Sequence, residues 1–224
     1  MSAFLLRIWS RLLVLLLFSG AALAQTPGGE TPYRALYGAL SPSLKLAGYS
    51  RLKPVQRIVS KSAAVAPDSI RVSIHAGSGV IEIRPAPDGR VDFPMSEALL
   101  AENPPVRSNQ PRGSLSVSVS FEIDLGDGDS LPYAELAQGI DQAQQALAEV
   151  EPALAGQRVA GIEFSFPLGT DARLQIVDPR REELLVADRE GFVRLRNDPR
   201  LRDSGALVRW TPRPLRAVPY LTSL

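Results

Sequence analysis

Between Leu115 and Ile123 the chain alternates strictly: Leu115, Val117, Val119, Phe121 and Ile123 are apolar, and the residues between them are serine or glutamate. Successive side chains of an extended strand point to opposite faces, so a period of two gathers the apolar groups on one side. A helix would scatter the same residues around its circumference. The segment is therefore read as a strand with one buried face and one wet face, Ser116, Ser118 and Ser120 lying on the wet side.

The same alternation recurs along the chain. Ile70, Val72 and Ile74 alternate with polar residues, and Val80, Ile81 and Ile83 follow the turn signal Gly77-Ser78-Gly79, which predicts a hairpin. Pro87-Asp88-Gly89 is a second turn, with proline fixing one φ and glycine free to take a positive one, and Val91 and Phe93 resume the pattern. A later set comprises Ile162/Phe164/Phe166, Leu174/Ile176, Leu184/Val186, Val193/Leu195, Leu207–Trp210 and Leu215–Val218. Helical spacing intrudes in three places. Tyr33, Leu36, Tyr37 and Leu40 suit a short helix that Pro42 ends, and Ser96 can cap one turn over residues 97–100. Over 131–156, Tyr133, Leu136, Ile140, Ala143, Leu147, Val150 and Leu154 are separated by threes and fours, making one apolar stripe. Asp129 or Ser130 is placed to cap this helix and Pro132 falls in its first turn. Its stripe fits packing on a sheet, or the seam of a short coiled coil in a homodimer.

These patterns predict a mainly β (α+β) chain of two β-sandwich-like modules connected by one amphipathic helix: a first module over 33–130, a linking helix over 131–156 and a second module over 157–224. Sliding the sequence by 102 positions lays Arg71 on Arg173, Ile74 on Ile176, Gly89 on Gly191, Val91 on Val193, Leu99 on Leu201 and Val106-Arg107 on Val208-Arg209. That register points to an internal duplication, or to two β segments that match by chance.

The first residues carry an address. Arg7 and Arg11 precede the apolar run Leu12–Phe18, and Ala22-Leu23-Ala24 follows, the three parts of an export signal. The run is shorter than the roughly 20 residues that span hydrocarbon, so cleavage after Ala24 is expected, with residues 25–32 as a flexible leader. Without residues 1–24, which hold Arg7 and Arg11 and no acid, the 25 basic and 24 acidic groups become 23 and 24, a net charge of −1. Global attraction to polyanions is not encoded. The chain has no cysteine, which excludes disulfides, zinc-thiolate sites, iron-sulfur clusters, thiol catalysis and a lipoprotein anchor.

Chemistry-bearing residues are sparse. His75 is the only histidine, and no serine lies in a Gly-x-Ser-x-Gly elbow. Asp124, Asp127 and Asp129 concentrate carboxylates in a glycine-bearing loop that a hard cation such as calcium would accept, although the spacing departs from a calcium-loop pattern; a solvated turn that caps the helix fits the same residues. Glu82/Glu97 and Glu182/Glu183 are the carboxylate pairs available to a glycosidase. Residues 173–216 are rich in arginine, with Arg209, Trp210 and Arg213 close together; such a cluster can bind sugars, anionic glycans or lipid head groups. Arginines on outward strand positions, paired with neighbouring acids, account for the same composition. Asn109 sits in the proline-rich connection 103–113, a second candidate for recognition.

Val91-Asp92-Phe93-Pro94, Glu102-Asn103-Pro104 and Asn109-Gln110-Pro111-x-Gly113, together with the leader, give the chain over residues 50–220 a resemblance to uncharacterised secreted proteins of proteobacteria that share a domain of unknown function. The resemblance implies export and brings no catalytic residues. The expectation is a periplasmic or secreted binding protein of the cell envelope, its partner an envelope protein or glycan and not nucleic acid, with no cofactor. An envelope polysaccharide-active enzyme using paired carboxylates is the alternative, and assembly through an exposed strand edge is a third.

Overall fold

The computed structural model describes residues 29–150 and 156–223. The export signal, Gln25–Gly28 and Leu154 lie outside the described residues. Within them the chain is mainly β, with four antiparallel sheets, and it divides into two compact units. The first unit comprises the described residues up to Lys45 with Pro54–Ser120; the second comprises Leu46–Lys53 with the described residues from Phe121 onward.

The elements of the first half are β1 (Gly29–Pro32), α1 (Tyr33–Leu40), α2 (Pro42–Leu46), β2 (Leu52–Ser60), β3 (Val72–Ala76), β4 (Gly79–Ile83), β5 (Arg90–Val91), α3 (Glu97–Glu102), β6 (Pro105–Ser108) and β7 (Leu115–Ile123). Those of the second are β8 (Ser130–Pro132), α4 (Tyr133–Val150), β9 (Gln157–Ser165), β10 (Arg173–Asp178), β11 (Arg181–Val186), β12 (Phe192–Arg196), α5 (Pro199–Arg202), β13 (Leu207–Thr211) and β14 (Arg216–Ser223). Strand order is β1-β6-β3-β4 and β5-β2-β7 in the first set, β8-β13-β10-β11 and β12-β9-β14 in the second. The two orders are the same, element for element, with α4 standing where α1 and α2 stand.

The repeat extends to hydrogen-bond register. Val72 is opposite Ile83 and Ser108, and Leu174 is opposite Leu185 and Trp210, each partner 102 residues further on. Pro32 faces Pro105 as Pro132 faces Leu207, and Gln56 faces Val91 as Phe164 faces Val193. The offset is thus 100 at the first strand, 108 at β2/β9 and 102 beyond, so the second copy has its extra residues between Tyr133 and β9, where α4 is one long helix. Ile70/Ala172, Val72/Leu174, Ile74/Ile176, Val91/Val193, Phe93/Leu195, Leu99/Leu201 and Val106/Val208 are buried as pairs. Burial of alternate strand residues is the main force holding each unit, each fully buried aliphatic side chain contributing about 1.5–3 kcal/mol. The turn also repeats: Gly89 and Gly191 sit at φ 83° and 79°, their N–H groups donating to Ala86 O and Asp188 O, where a side chain would be strained.

One tyrosine anchors each copy. Tyr33 is fully buried; its hydroxyl donates to Pro94 O and accepts from Ser96 N–H at 3.0 Å. The hydroxyl of Tyr133, equally buried, donates to Arg196 O at 3.0 Å and accepts from Asp198 N–H at 2.6 Å. Ser96 and Asp198 are the N-caps of α3 and α5, so in each copy the phenol fixes the start of the helix to the segment leading into it, at the end of β12 in the second copy and three residues beyond β5 in the first. Burial is the largest of the influences that raise the Tyr133 pKa above the ordinary phenol value.

Several expectations need correction. Gly29–Pro32, expected in the flexible leader, forms β1 and pairs with β6. Backbone pairing does not require apolar side chains, and Gly29 lies so close to the 110–112 segment that a Cβ would stand 3.0 Å from Gln110 O. The long helix begins at Tyr133, because Ser130–Pro132 is drawn into pairing with β13 as β8. Its stripe of Tyr133, Leu136, Ile140, Ala143 and Leu147 is buried within the unit, so it offers no coiled-coil seam. The serine face of β7 is not uniformly wet: Ser118 is buried, and the Arg57 side chain lies on that face, donating to Ser120 Oγ at 2.7 Å. Among the described residues no helix is long and apolar enough to cross a membrane.

Candidate functional site

The arginine–tryptophan cluster is not gathered on one face. Adjacent strand residues face opposite ways, so Arg209 is exposed on one face of β13 while Trp210 is 3% exposed on the other. The indole packs against Phe164 with centroids 6.5 Å apart, and its Nε1 donates to Gly128 O at 3.2 Å. Arg213 donates to Gly128 O at 2.6 Å and also to Gly126 O, closing down the aspartate loop. Asn109 extends the β3–β6 pairing: its Oδ1 accepts from Arg71 N–H at 2.9 Å and its Nδ2 donates to Ser69 O at 3.0 Å. Trp210, Arg213 and Asn109 each make hydrogen bonds to backbone within their own unit, and Arg209 stands apart from them.

Two of the three aspartates of the loop have partners within the chain. Asp124 is paired with the Lys53 ammonium at 2.7 Å and accepts from Gly126 N–H at 2.8 Å, while the Asp129 carboxylate accepts from Ser130 Oγ. Burial alone would raise the Asp124 pKa, but the lysine, the amide and Arg51 outweigh it and hold the carboxyl below the ordinary range. Asp124, Asp127 and Asp129 do not gather into a metal site, and no three His, Cys, Asp or Glu among the described residues do.

Of the carboxylate pairs, Glu182/Glu183 does not converge. Glu182 and Glu183 are consecutive on β11 and so face opposite ways, Glu182 accepting from the Gln175 amide. Glu97 accepts from Tyr37 Oη at 2.5 Å. His75 is half-buried on β3, its Nε2 3.0 Å from Ser73 Oγ. That is a nucleophile–base distance, but among the described residues no carboxylate is recorded at the other ring nitrogen to orient the imidazole.

Sequence reasoning missed the outer face of β12-β9-β14. Register sets the rows: Arg194 and Val218 flank Glu163, Arg216 flanks Ser165, and Arg196 and Tyr220 flank Gly161. Glu163 and Ser165 point outward from the central strand, yet are only 9% and 8% exposed, because side chains of the flanking strands lie over them. Arg194 Nε is held by Glu163 Oε2 at 2.8 Å, and its guanidinium lies over the Tyr220 ring with the carbon 5.7 Å from the centroid. Arg216 Nε donates to Ser165 Oγ at 3.2 Å. Among the described residues Arg196 and Arg216 make no ion pair, so Arg194, Arg196 and Arg216 against Glu163 leave a net charge of +2 here. Gly161 makes the crossing feasible: a Cβ there would stand 2.1 Å from Leu195 O and 2.8 Å from the Tyr220 ring. Tyr133, gripping Arg196 O and Asp198 N–H, fixes the end of β12 and with it this face.

An arginine anchored through Nε turns its two terminal nitrogens outward as a fork, the geometry that meets oxyanions bidentately. Two such forks, both held by one strand, lie on this face. Arg194, Arg196 and Arg216 all lie in the arginine-rich stretch 173–216, outside the Arg209–Arg213 cluster. Comparison with protein-family models, with curated proteins and with solved structures returns no match.

Proposed function

We propose that the protein is an exported binding protein of the bacterial cell envelope, periplasmic or secreted after cleavage at Ala24, and that it engages its partner through the outer face of β12-β9-β14. The observation that carries this reading is the pair of nearly buried polar residues, Glu163 and Ser165, each of which fixes the Nε of an arginine. Desolvating a carboxylate costs free energy, and an exposed ion pair returns little of it, so the arrangement gains stability for the fold less than it gains order for the guanidiniums. Preorganised donors are what a binding surface requires. The leader and the secreted-protein resemblance support the location.

The test has two arms. In cell fractionation, the chain starting at Gln25 is expected in the periplasm or medium; recovery in the cytoplasm with residues 1–24 attached overturns the location. In sedimentation with washed envelope fragments, the wild-type chain is expected to co-sediment and the double variant Arg194→Ala/Arg216→Ala to remain in solution. Equal co-sedimentation of both overturns the assignment of the face.

A further inference from the structure

Resting on that reading, the geometry points to a phosphoryl group as the chemistry this face recognises: we propose that the forks of Arg194 and Arg216 grip one phosphate group between them, with Arg196 as the third cation. Four observations lead there.

The first is spacing. Glu163 and Ser165, the two Nε anchors, are alternate residues of β9, about 7 Å apart along the strand at about 3.3 Å per residue. Arg194 reaches its anchor from β12 and Arg216 from β14, on opposite sides of β9, so both guanidiniums are drawn inward over the same strand, where one oxyanion can lie between them. A carboxylate is planar and has two oxygens, which a single guanidinium fork satisfies; a phosphoryl group presents more, in different directions, and is matched by two forks that are not coplanar.

The second is charge. The net +2 of Arg194, Arg196, Arg216 and Glu163 complements the charge of a phosphate ester. Glu163 does not spoil the site, because its carboxylate lies beneath the arginines at 9% exposure and faces the Nε side of Arg194, away from the outward nitrogens.

The third is rigidity. Arg194 is fixed twice, by the carboxylate and by the Tyr220 ring, and that ring is seated over a glycine that no other residue can replace. Ordering a free arginine would consume about 0.5–1.5 kcal/mol on binding; here folding has already done it.

The fourth comes from the repeat. At the places of Glu163 and Arg194 the first copy has Val55 and Asp92, so the shared scaffold does not demand these residues.

The experiment uses the mature chain and three probes by calorimetry: inorganic phosphate, glucose 1-phosphate, and vesicles of phosphatidylglycerol against phosphatidylcholine. Binding of the phosphosugar alone, or of anionic vesicles alone, supports the proposal and identifies the source; binding of inorganic phosphate supports it as a free-anion site. Arg194→Ala and Arg216→Ala are each expected to weaken the positive probe about tenfold or more, a charge-assisted bond being lost in each. Arg173→Ala, an exposed arginine outside the face, leaves it unchanged. Glu163→Gln separates an ordered site from a merely basic patch. It removes a negative charge, so a non-specific patch binds more tightly, whereas a site that depends on Arg194 being held binds more weakly. Tighter binding by Glu163→Gln, or no binding of any probe, overturns the proposal. If no probe binds while Arg194→Ala/Arg216→Ala still releases the protein from envelope fragments, the phosphoryl assignment falls and the face stands. If the double variant still co-sediments, the reading beneath both falls.

Discussion

Replacing Tyr133 by phenylalanine isolates one oxygen atom. The ring keeps its place in the core, so no cavity forms, and what is lost is a hydroxyl that donates to Arg196 O at 3.0 Å and accepts from Asp198 N–H at 2.6 Å. A buried partner left without its hydrogen bond costs about 1–3 kcal/mol, and here there are two, an N–H and a C=O. Arg196 and Asp198 are not themselves buried, so water reaches part of what the hydroxyl vacates, and the expected loss is about 2 kcal/mol. With a urea dependence of about 2 kcal/mol/M, the midpoint of unfolding falls by about 1 M. Tyr33→Phe removes the same oxygen from the same place in the first copy, between Pro94 O and Ser96 N–H, and should cost a similar amount. Equilibrium unfolding followed by far-ultraviolet circular dichroism and by fluorescence reads both. A loss under about 0.5 kcal/mol in either variant, the scale of an ordinary surface substitution, would refute the claim that the phenol pins the start of the helix.

Other substitutions probe separate parts of the account. Gly161→Ala places a methyl 2.1 Å from Leu195 O and against Tyr220, and should destabilise by about 3 kcal/mol in thermal unfolding; a neutral result would mean that β9 and β12 do not approach so closely. Trp210→Ala should cost about 3–5 kcal/mol whereas Arg209→Ala stays within about 0.5 kcal/mol, and equal effects would contradict the opposite orientation of the two side chains. The Asp124 carboxyl titrates below its ordinary value near 3.9, so its stabilising contribution is complete above that pH and disappears as the pH falls through the lowered value. Asp124→Asn should therefore be less stable than wild type at neutral pH and converge with it in strong acid; a gap that persists there would assign the effect to something other than the carboxylate's charge.

Much of the architecture was legible from alternation because half-buried strands write their two faces into the sequence at a period of two. The offset of 102 was legible as well, since Gly89 and Gly191 must both take positive φ and the buried pairs from Ile70/Ala172 to Val106/Val208 fill the same places. Gly29–Pro32 and Ser130–Pro132 were not, because short edge strands are held by backbone bonds to β6 and β13 and need no apolar run. Trp210 could have been placed: it shares its parity with buried Val208, and alternation sends both inward. The Arg194–Glu163–Tyr220 face could not. Its members lie on three strands, far apart in sequence, and a register shift between Tyr220 and Leu221 breaks the simple count along β14.

The two copies agree in their aliphatic core and part company on the outer face of the β12-β9-β14 sheet and its counterpart. Leu99 and Leu201 keep equivalent stations beneath their capped helices, while Val55 and Asp92 stand where the other copy has a carboxylate and the arginine it steadies. A chain built this way supplies its own blank: whatever adheres to the second casting and ignores the first is drawn by surface chemistry, the scaffold being common to both.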